Sequence, residues 1–208
     1  MKVLELFAGS RSIGKAAERL GMEVFSSDIT DFGGIDYVCD VREFDLSRIP
    51  WKPDMIWASP PCTGFSVAAI GHHWERGEEF HTPKTDTARL GLELLRKTIN
   101  IIETLQPSHF FIENPRGMMR KTPEVQQFQR TTVTYCQYGD TRMKPTDIWH
   151  STRCTWVGRP MCKNGAPCHE AAPRGSRTGT QGLKGNHERS KIPDALCTEI
   201  LLHVSNTL

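Results

Sequence analysis

The sequence lacks the features that mark several classes of protein. No apolar run approaches the ~20 consecutive residues that a membrane-spanning helix requires. The opening MKVLELFAGS has neither the core nor the cleavage site of a secretory signal. The seven cysteines are an odd and scattered set, which argues against a disulfide framework and for a reducing compartment such as the cytoplasm. A lysine-bearing phosphate loop and a Gly-x-Gly-x-x-Gly run are also missing.

What remains is the composition of one globular domain with an uneven distribution of charge. The 208 residues are 38% hydrophobic and carry a net charge of +2. Residues 1–105 contain 16 acidic and 12 basic side chains, whereas residues 106–208 contain 8 and 14. The basic excess is concentrated in 114–191. A surface that faces a polyanion and an ordinary solvated surface both fit this pattern.

Strand-like and helical patterns alternate along the chain. Helical periodicity occurs at 12–20, 86–105 and 194–204, and strand-like runs occur at 2–7, 23–27, 37–41, 54–58, 108–112, 131–135 and 148–149. This order predicts an α/β fold with a doubly wound, mostly parallel sheet, in which ligands bind beyond the carboxyl ends of the strands. The glycine- and histidine-rich segment 63–85 predicts a mobile loop.

The turn after the first predicted strand is a place where a cofactor is expected. Glycine in Phe7-Ala8-Gly9 lets a ligand approach the backbone, and the N–H groups of the next helix favour an anion. Asp28 ends the second strand at a position suited to a ribose diol, and Asp40 ends the third within reach of an adenine amino group. Each residue alone also fits an ordinary turn. The ordered set indicates an adenosine-containing cofactor without phosphates.

A cysteine and a glutamate follow two further strands. Cys62 comes directly after two prolines, which hold it on a rigid turn where a thiolate can act as a nucleophile. A lone cysteine is more often an inert, buried residue. Glu113 lies at the polar tip of the apolar run Phe110–Ile112, where its carboxyl group can hydrogen-bond to a ring nitrogen. The pair favours nucleophilic catalysis over an inert cysteine.

At these positions the chain resembles the cytosine-C5 DNA methyltransferases that use S-adenosylmethionine. Leu6–Gly9 is similar to the family's cofactor motif, and 61–66 (Pro-Cys-Thr-Gly-Phe-Ser) to its Pro-Cys-Gln-x-Phe-Ser motif. Glu113-Asn114-Pro115 is similar to its Glu-Asn-Val motif. Residues 140–144 are similar to Gln-x-Arg-x-Arg, with Asp for Gln and Lys for the second Arg. The small size and the run at 144–149 resemble phage and prophage members.

The resemblance implies a fold of the S-adenosylmethionine-dependent methyltransferase type, S-adenosylmethionine as cofactor and double-stranded DNA as partner. It implies that Cys62 adds to C6 of a flipped-out cytosine, that Glu113 hydrogen-bonds to N3 and the amino group, and that Arg142 binds the carbonyl oxygen. The cofactor-binding residues that it implies are Phe7, Ala8, Gly9, Asp28, Ile29, Asp40, Val41 and Pro60.

The length leaves little room for a target-recognition region. We predict a catalytic and cofactor-binding domain over 1–150, a reduced recognition insert over 151–188 and a C-terminal helix over 189–208 that returns to the catalytic domain. So short an insert predicts short or relaxed sequence specificity, or help from a second subunit as a homodimer. The insert contains candidate ligands for a structural zinc ion, with free thiols in a flexible loop as the alternative. These candidates are Cys154, Cys162, Cys168 and His169.

Two other functions stay open at this point. One keeps the fold and changes the acceptor to RNA or to an exocyclic amine; Cys62 and Glu113 argue against the amine, whereas RNA-directed relatives share the Pro-Pro-Cys turn. The other is a catalytically silent DNA-binding relative, which the degenerate Arg142 motif supports and the presence of both Cys62 and Glu113 opposes.

Overall fold

The computed structural model describes residues 1–67, 70–171 and 186–208. None of the described helices is both long and apolar enough to cross a membrane. The elements in chain order are β1 (Lys2–Leu6), α1 (Ser12–Arg19), β2 (Glu23–Asp28), β3 (Tyr37–Val38), β4 (Met55–Ala58), α2 (Ile70–His73), β5 (Trp74–Glu75), β6 (Thr82–Pro83), α3 (Asp86–Leu105), β7 (His109–Pro115), β8 (Gln129–Thr134), β9 (Pro145–His150), α4 (Asn186–Ser190) and α5 (Asp194–Ser205).

Seven of these strands form one sheet in the order β3-β2-β1-β4-β7-β9-β8. β9 runs antiparallel to both of its neighbours, and the other six strands are parallel to one another. The predicted mostly parallel sheet is therefore confirmed. The strand order reverses between β1 and β4, and crevices at such reversals are where doubly wound sheets bind their ligands.

Both faces of the sheet are covered, so successive strand residues are buried on alternate sides. Leu4, Ile56 and Ile112 pack in a core that includes Leu95 and Ile102 of α3. The opposite face forms a second core with α1 and α5, whose members include Val3, Met55, Phe111, Ile13, Ala17, Leu196 and Ile200. Because both faces of the sheet are buried, the sequences of the central strands are nearly continuous apolar runs.

The segment 63–85 contains more regular structure than the predicted mobile loop. It includes α2 and a small antiparallel hairpin of β5 and β6. Trp74 anchors the hairpin, because its indole N–H donates to the carbonyl oxygen of Gly64 at 2.6 Å and its ring stacks on Phe65 with centroids 5.8 Å apart. A buried tryptophan with a satisfied N–H holds this segment against the core.

The strand predicted at 37–41 is shorter than expected. β3 ends at Val38, and the side chain of Asp40 accepts a hydrogen bond from the backbone N–H of Arg42, which starts a 3-10 turn over Val41–Glu43. A side-chain acceptor of this kind competes with strand pairing and favours a turn.

Glu5 of β1 fixes the start of α1. Its carboxylate is 2% exposed and accepts hydrogen bonds from the backbone N–H groups of Ile13 (3.1 Å) and Gly14 (3.0 Å), which the helix itself leaves unpaired. A Cβ atom at Gly14 would lie only 2.7 Å from Glu5 Oε2, so any other residue here would displace the Glu5 carboxylate from its two hydrogen bonds. Burial raises the pKa of Glu5 to about 7.

We expect the free energy of unfolding to fall as the pH rises, because Glu5 becomes ionised in its buried position. Its pKa is about 7 in the folded chain against an ordinary 4.5, so ionisation costs the folded state about 3 kcal/mol. The contribution is fully present below pH 4.5 and is lost as the pH rises through about 7. Denaturant unfolding between pH 5 and 8 should show a steeper decline for the wild type than for Glu5→Gln. The exposed Glu23→Gln serves as control, and equal slopes in all three proteins would contradict this account.

Candidate active site

The cofactor residues predicted from β1 and β2 lie together at the carboxyl edge of the sheet. Phe7 (φ 56°) and Gly9 (φ 49°) turn the chain through left-handed backbone conformations directly after β1. The N–H of Gly9 donates to Asp28 Oδ2 at 2.9 Å, and the N–H of Thr30 donates to Asp28 Oδ1 at 2.9 Å. A carboxylate has about four acceptor sites, so Asp28 keeps capacity for a further donor.

Exposed apolar side chains lie beside Asp28. Ile29 is 67% exposed and Phe32 47% exposed, although large apolar residues are usually covered. Together with the remaining acceptor sites of Asp28, they fit a ligand that offers a diol and a flat apolar group. Ala8, Val41 and Pro60 are buried.

Asp40, in contrast, is engaged by its neighbour. Arg42 forms a salt bridge to it at 2.6 Å, and hydrogen bonds from Arg42 lower the pKa of Asp40. An adenine amino group at this carboxylate would share it with Arg42.

The Cys62 turn is tied to the tip of β7. Cys62 is exposed, and its carbonyl oxygen accepts a hydrogen bond from the N–H of Phe65 at 2.9 Å, which closes a 3-10 turn. Asn114 is fully buried, and its Nδ2 donates to the carbonyl oxygen of Pro60 at 2.8 Å. Sequence reasoning assigned no role to Asn114, although it follows Glu113 directly. The hydrogen bond fixes the turn of Cys62 relative to the strand of Glu113.

Glu113 is 4% exposed and has one hydrogen-bonding partner that sequence reasoning missed. The hydroxyl of Tyr135, directly after β8, donates to Glu113 Oε1 at 2.9 Å. Burial and the charge of Glu113 raise the pKa of Tyr135 well above its ordinary value, so its hydroxyl keeps the proton that it donates. No local motif marks Tyr135, because the contact spans 22 residues and depends on the sheet.

Arg142 is buried and its guanidinium is held by several partners. It forms a salt bridge with Asp140, to which its Nε donates at 2.8 Å. Its terminal nitrogens donate to the carbonyl oxygens of Arg189 (3.1 Å) and Lys191 (3.3 Å), so it connects the 140–144 turn to the C-terminal segment. Its carbon Cζ lies 6.0 Å from the centre of the Tyr135 ring.

The charge of Lys144 acts on both Cys62 and Glu113, although burial lowers the pKa of Lys144 itself. Its Nζ lies 4.5 Å from the centre of the Tyr135 ring and donates to the carbonyl oxygen of Arg189 at 3.0 Å. Its backbone φ of 27° lies in the left-handed region, which is strained for a lysine. Such strain persists only where surrounding contacts hold the residue in place.

Opposing charges act on the thiol of Cys62. Although the residue as a whole is exposed, protein groups around the thiol desolvate it and raise its pKa, and the nearby carboxylate of Glu113 raises the pKa further. The charges of Lys144 and Arg189 lower the pKa, but the net direction is upward. At neutral pH the thiol is therefore mainly protonated.

The structure brings together three of the four metal ligands predicted for the insert. Cys162, Cys168 and His169 lie together, with every pair of their ligand atoms within 4.8 Å. The fourth member of this cluster is Cys136, from the turn after β8. Cys154, the remaining predicted ligand, lies outside this cluster and is buried in the apolar core with Trp156. Cys136 is distant in sequence, and only the folding of the insert against the sheet brings it close.

The seven-stranded sheet with antiparallel β9 has the fold of the S-adenosylmethionine-dependent methyltransferases. The family model of C-5 cytosine-specific DNA methylases matches residues 1–137. A frog virus 3 protein named probable DNA (cytosine-5)-methyltransferase is 34% identical, over 97% of this chain and 99% of that protein. Within the class, the chain therefore belongs to the C-5 cytosine-specific DNA methylase family.

Other relatives are longer than this chain. Type II methyltransferase M.CviJI of Paramecium bursaria Chlorella virus IL3A is 30% identical over 54% of this chain, which spans 30% of that protein. The structure of the Entamoeba histolytica methyltransferase EhMeth superposes with a TM-score of 0.54 at 14% identity, over 77% of this chain and 57% of that one. The structural likeness shows the fold alone.

Family membership confirms the predicted enzyme, a DNA (cytosine-5)-methyltransferase with S-adenosylmethionine as cofactor and DNA as substrate. It does not favour the RNA-directed or catalytically silent alternatives. Phage origin stays a prediction, although one relative is viral.

We expect Lys144 to control the reactivity of Cys62. Replacing Lys144 by Met removes a charge that lowers the pKa of the thiol, so the thiolate fraction near neutral pH should fall, about tenfold for each pKa unit gained. The rate of iodoacetamide alkylation, followed on the Cys62 peptide by mass spectrometry, should rise with pH in both proteins and be slower in Lys144→Met. Lys121→Met, at an exposed position, is the control. An unchanged rate in Lys144→Met would refute the coupling.

Asn114→Ala should misplace the Cys62 turn. The change leaves the carbonyl oxygen of Pro60 without its donor, which costs about 1–3 kcal/mol of stability. Small displacements at a reacting group can reduce the rate about 100-fold, so we expect kcat for DNA methylation to fall far more than affinity for S-adenosylmethionine. Asn100→Ala, on the exposed side of α3, controls for the loss of an amide. A variant with normal kcat would show that the hydrogen bond does not position the nucleophile.

Proposed function

We propose that this protein methylates C5 of cytosine in duplex DNA through a covalent adduct between Cys62 and C6 of a flipped-out base. The observation that carries the proposal is the hydrogen bond between Asn114 and Pro60, which joins the turn of Cys62 to the strand of Glu113. A nucleophile and a carboxyl group on adjacent, connected strand ends can act on one ring from two sides. Flipping the base out of the duplex costs a few kcal/mol and gives the thiol access to C6.

The S-adenosylmethionine site that we propose lies at the ends of β1, β2 and β3. Asp28 would hold the ribose diol, Ile29 would pack on the adenine, and Asp40 would bind the adenine amino group in competition with Arg42. The backbone of Phe7, Ala8 and Gly9, with Val41 and Pro60, completes this site. When bound, S-adenosylmethionine supplies the methyl group for C5.

The protein groups act on the cytosine ring in a defined order. The thiolate of Cys62 forms a bond to C6, which makes C5 electron-rich. Glu113, with one oxygen held by Tyr135, donates a carboxyl O–H to N3 and accepts a hydrogen bond from the exocyclic amine. N3 takes this proton as the bond to C6 forms, so no net charge builds up on the ring. After methylation, loss of the C5 proton restores the C5–C6 double bond and expels the thiolate. The adduct is therefore transient with cytosine.

We propose that two cations share the role predicted for Arg142 at the carbonyl oxygen of the base. Lys144 is the cation whose charge acts on Glu113 and Cys62. Arg142 would support it, because its guanidinium is occupied by Asp140 and by two carbonyl oxygens of the C-terminal segment.

DNA contacts are proposed for the second half of the chain. Exposed basic residues there suit phosphate contacts, which position a protein on DNA without specifying a sequence; they include Arg116, Lys121, Arg130, Arg153 and Lys163. A homodimer stays a prediction. A location in the cytoplasm suits seven cysteines that form no disulfide.

The proposal is tested by trapping the adduct with duplex DNA that contains 5-fluorocytosine. Fluorine at C5 cannot leave as a proton does, so methyl transfer should leave Cys62 covalently attached to the base. We expect a cofactor-dependent adduct with the wild type, located on Cys62 by peptide mass spectrometry. Cys62→Ala should form none and lose methyl transfer while it binds S-adenosylmethionine about as well as the wild type.

Cys39→Ala is the matched control, since it removes a half-buried cysteine near the end of β3. It should still form the adduct. Methylation by Cys62→Ala, or an adduct at another cysteine, would overturn the nucleophile assignment. Efficient methylation of RNA with no activity on duplex DNA would overturn the proposed substrate.

A further inference from the structure

Four potential metal ligands converge at the boundary between the catalytic sheet and the insert. Cys168 Sγ lies 3.3 Å from Cys162 Sγ and 3.7 Å from Cys136 Sγ. His169 Nδ1 lies 3.3 Å from Cys162 Sγ and 3.7 Å from Cys168 Sγ. The sulfur atoms are too far apart for a disulfide, whose S–S length is about 2.05 Å, and all seven cysteines are free.

The geometry and the donor set both correspond to tetrahedral zinc. With zinc–sulfur bonds of about 2.3 Å and zinc–nitrogen bonds of about 2.0–2.1 Å, neighbouring ligand atoms of a tetrahedron lie about 3.6–3.8 Å apart. Four of the six distances between the ligand atoms are 3.3–3.7 Å, close to that spacing, and the other two are within 4.8 Å. Three cysteines and one histidine are a common set for structural zinc and leave no position open for catalysis.

We infer that Cys136, Cys162, Cys168 and His169 bind one structural zinc ion that fastens the insert to the catalytic domain. None of these four residues takes part in the proposed methyl transfer, so zinc binding can be tested whether or not the protein methylates DNA.

Apart from the proposed zinc ion, few contacts stabilise the described part of the insert, 151–171. This part contains no helix or strand. Cys154 and Trp156 are buried and anchor its beginning, but Val157 is 82% exposed and Met161 41% exposed. Segments this short and irregular usually depend on a metal or a covalent link for stability. Zinc at the cluster would anchor the far end of the same segment.

The cluster also lies next to groups of the active site. Cys136 directly follows Tyr135, whose hydroxyl binds Glu113. On the other side, the backbone N–H of Glu170, directly after His169, donates to the carbonyl oxygen of Thr141 at 2.9 Å. Zinc would therefore hold both the turn of Tyr135 and the turn that leads to Arg142. Loss of zinc should weaken DNA methylation more than cofactor binding.

The test is the metal content of the full chain, purified from zinc-supplemented medium with a non-chelating reductant. Mass spectrometry of the metals should give about one zinc ion per chain. Cys136→Ser, Cys162→Ser and Cys168→Ser should each lose most of it. Exchange with Co²⁺ should give the intense visible bands of a tetrahedral site and a thiolate charge-transfer band, both weakened in the three variants.

Cys154→Ala is the matched control, because Cys154 lies in the insert but outside the cluster; it should keep its zinc. Hydrogen exchange should become faster at 157–171 in Cys136→Ser while α3 stays protected, which separates local loosening from unfolding of the whole protein.

Several outcomes would overturn the inference. These are a wild type free of zinc, a Cys162–Cys168 disulfide under reducing purification, stoichiometric iron instead of zinc, or loss of zinc in Cys154→Ala but not in Cys136→Ser. If the protein binds zinc but does not methylate DNA, that result would contradict the proposed function and leave the zinc site intact.

Discussion

The parallel pairing of β4 with β7 is the constraint on which the active site depends. Its register places Ala58 opposite Ile112, so the turn of Cys62 and the carboxyl group of Glu113 emerge at one edge of the sheet. Both strands are buried on both faces, and a slip of one residue would turn every side chain to the opposite face. Asn114 adds a hydrogen bond to Pro60 at the point where pairing ends. Hydrophobic packing thus sets the geometry of the chemical groups.

The site balances charge around a weakly acidic thiol. The carboxylate of Glu113 opposes ionisation of Cys62, and the cation of Lys144 favours it. Tyr135 stays neutral and orients the carboxylate without adding charge. The thiol is mainly protonated at neutral pH, which limits its oxidation and alkylation because the thiolate is the reactive form. The same arrangement makes reactivity sensitive to any cation that approaches the site.

The described part of the predicted insert, 151–171, is attached to the sheet and to α5 at several points. Trp156 and Cys154 extend the core beneath α5. Arg159 crosses to Glu199 of α5 at 2.9 Å and packs over the ring of Tyr138. Further along the insert, beyond Arg159, Cys162, Cys168 and His169 form the cluster with Cys136. Small domains cannot bury enough apolar surface to order such segments alone, so local anchors replace a core.

The sequence by itself determined the alternation of strands and helices and the position of Asp28 and Cys62 at or just beyond strand ends. Those features follow from short-range periodicity and turn chemistry, which few residues encode. Glu113, predicted at the tip of a strand that ends at Ile112, lies inside β7, which continues to Pro115 because it pairs with β9. Only the tertiary structure decided that Tyr135 holds Glu113, that the charge of Lys144 acts on Cys62 and Glu113, and that Cys136 rather than Cys154 joins the cluster. These contacts join residues far apart in sequence, and their meeting depends on strand register and on the docking of the insert. Neither the strand register nor the docking of the insert can be predicted from a local sequence pattern.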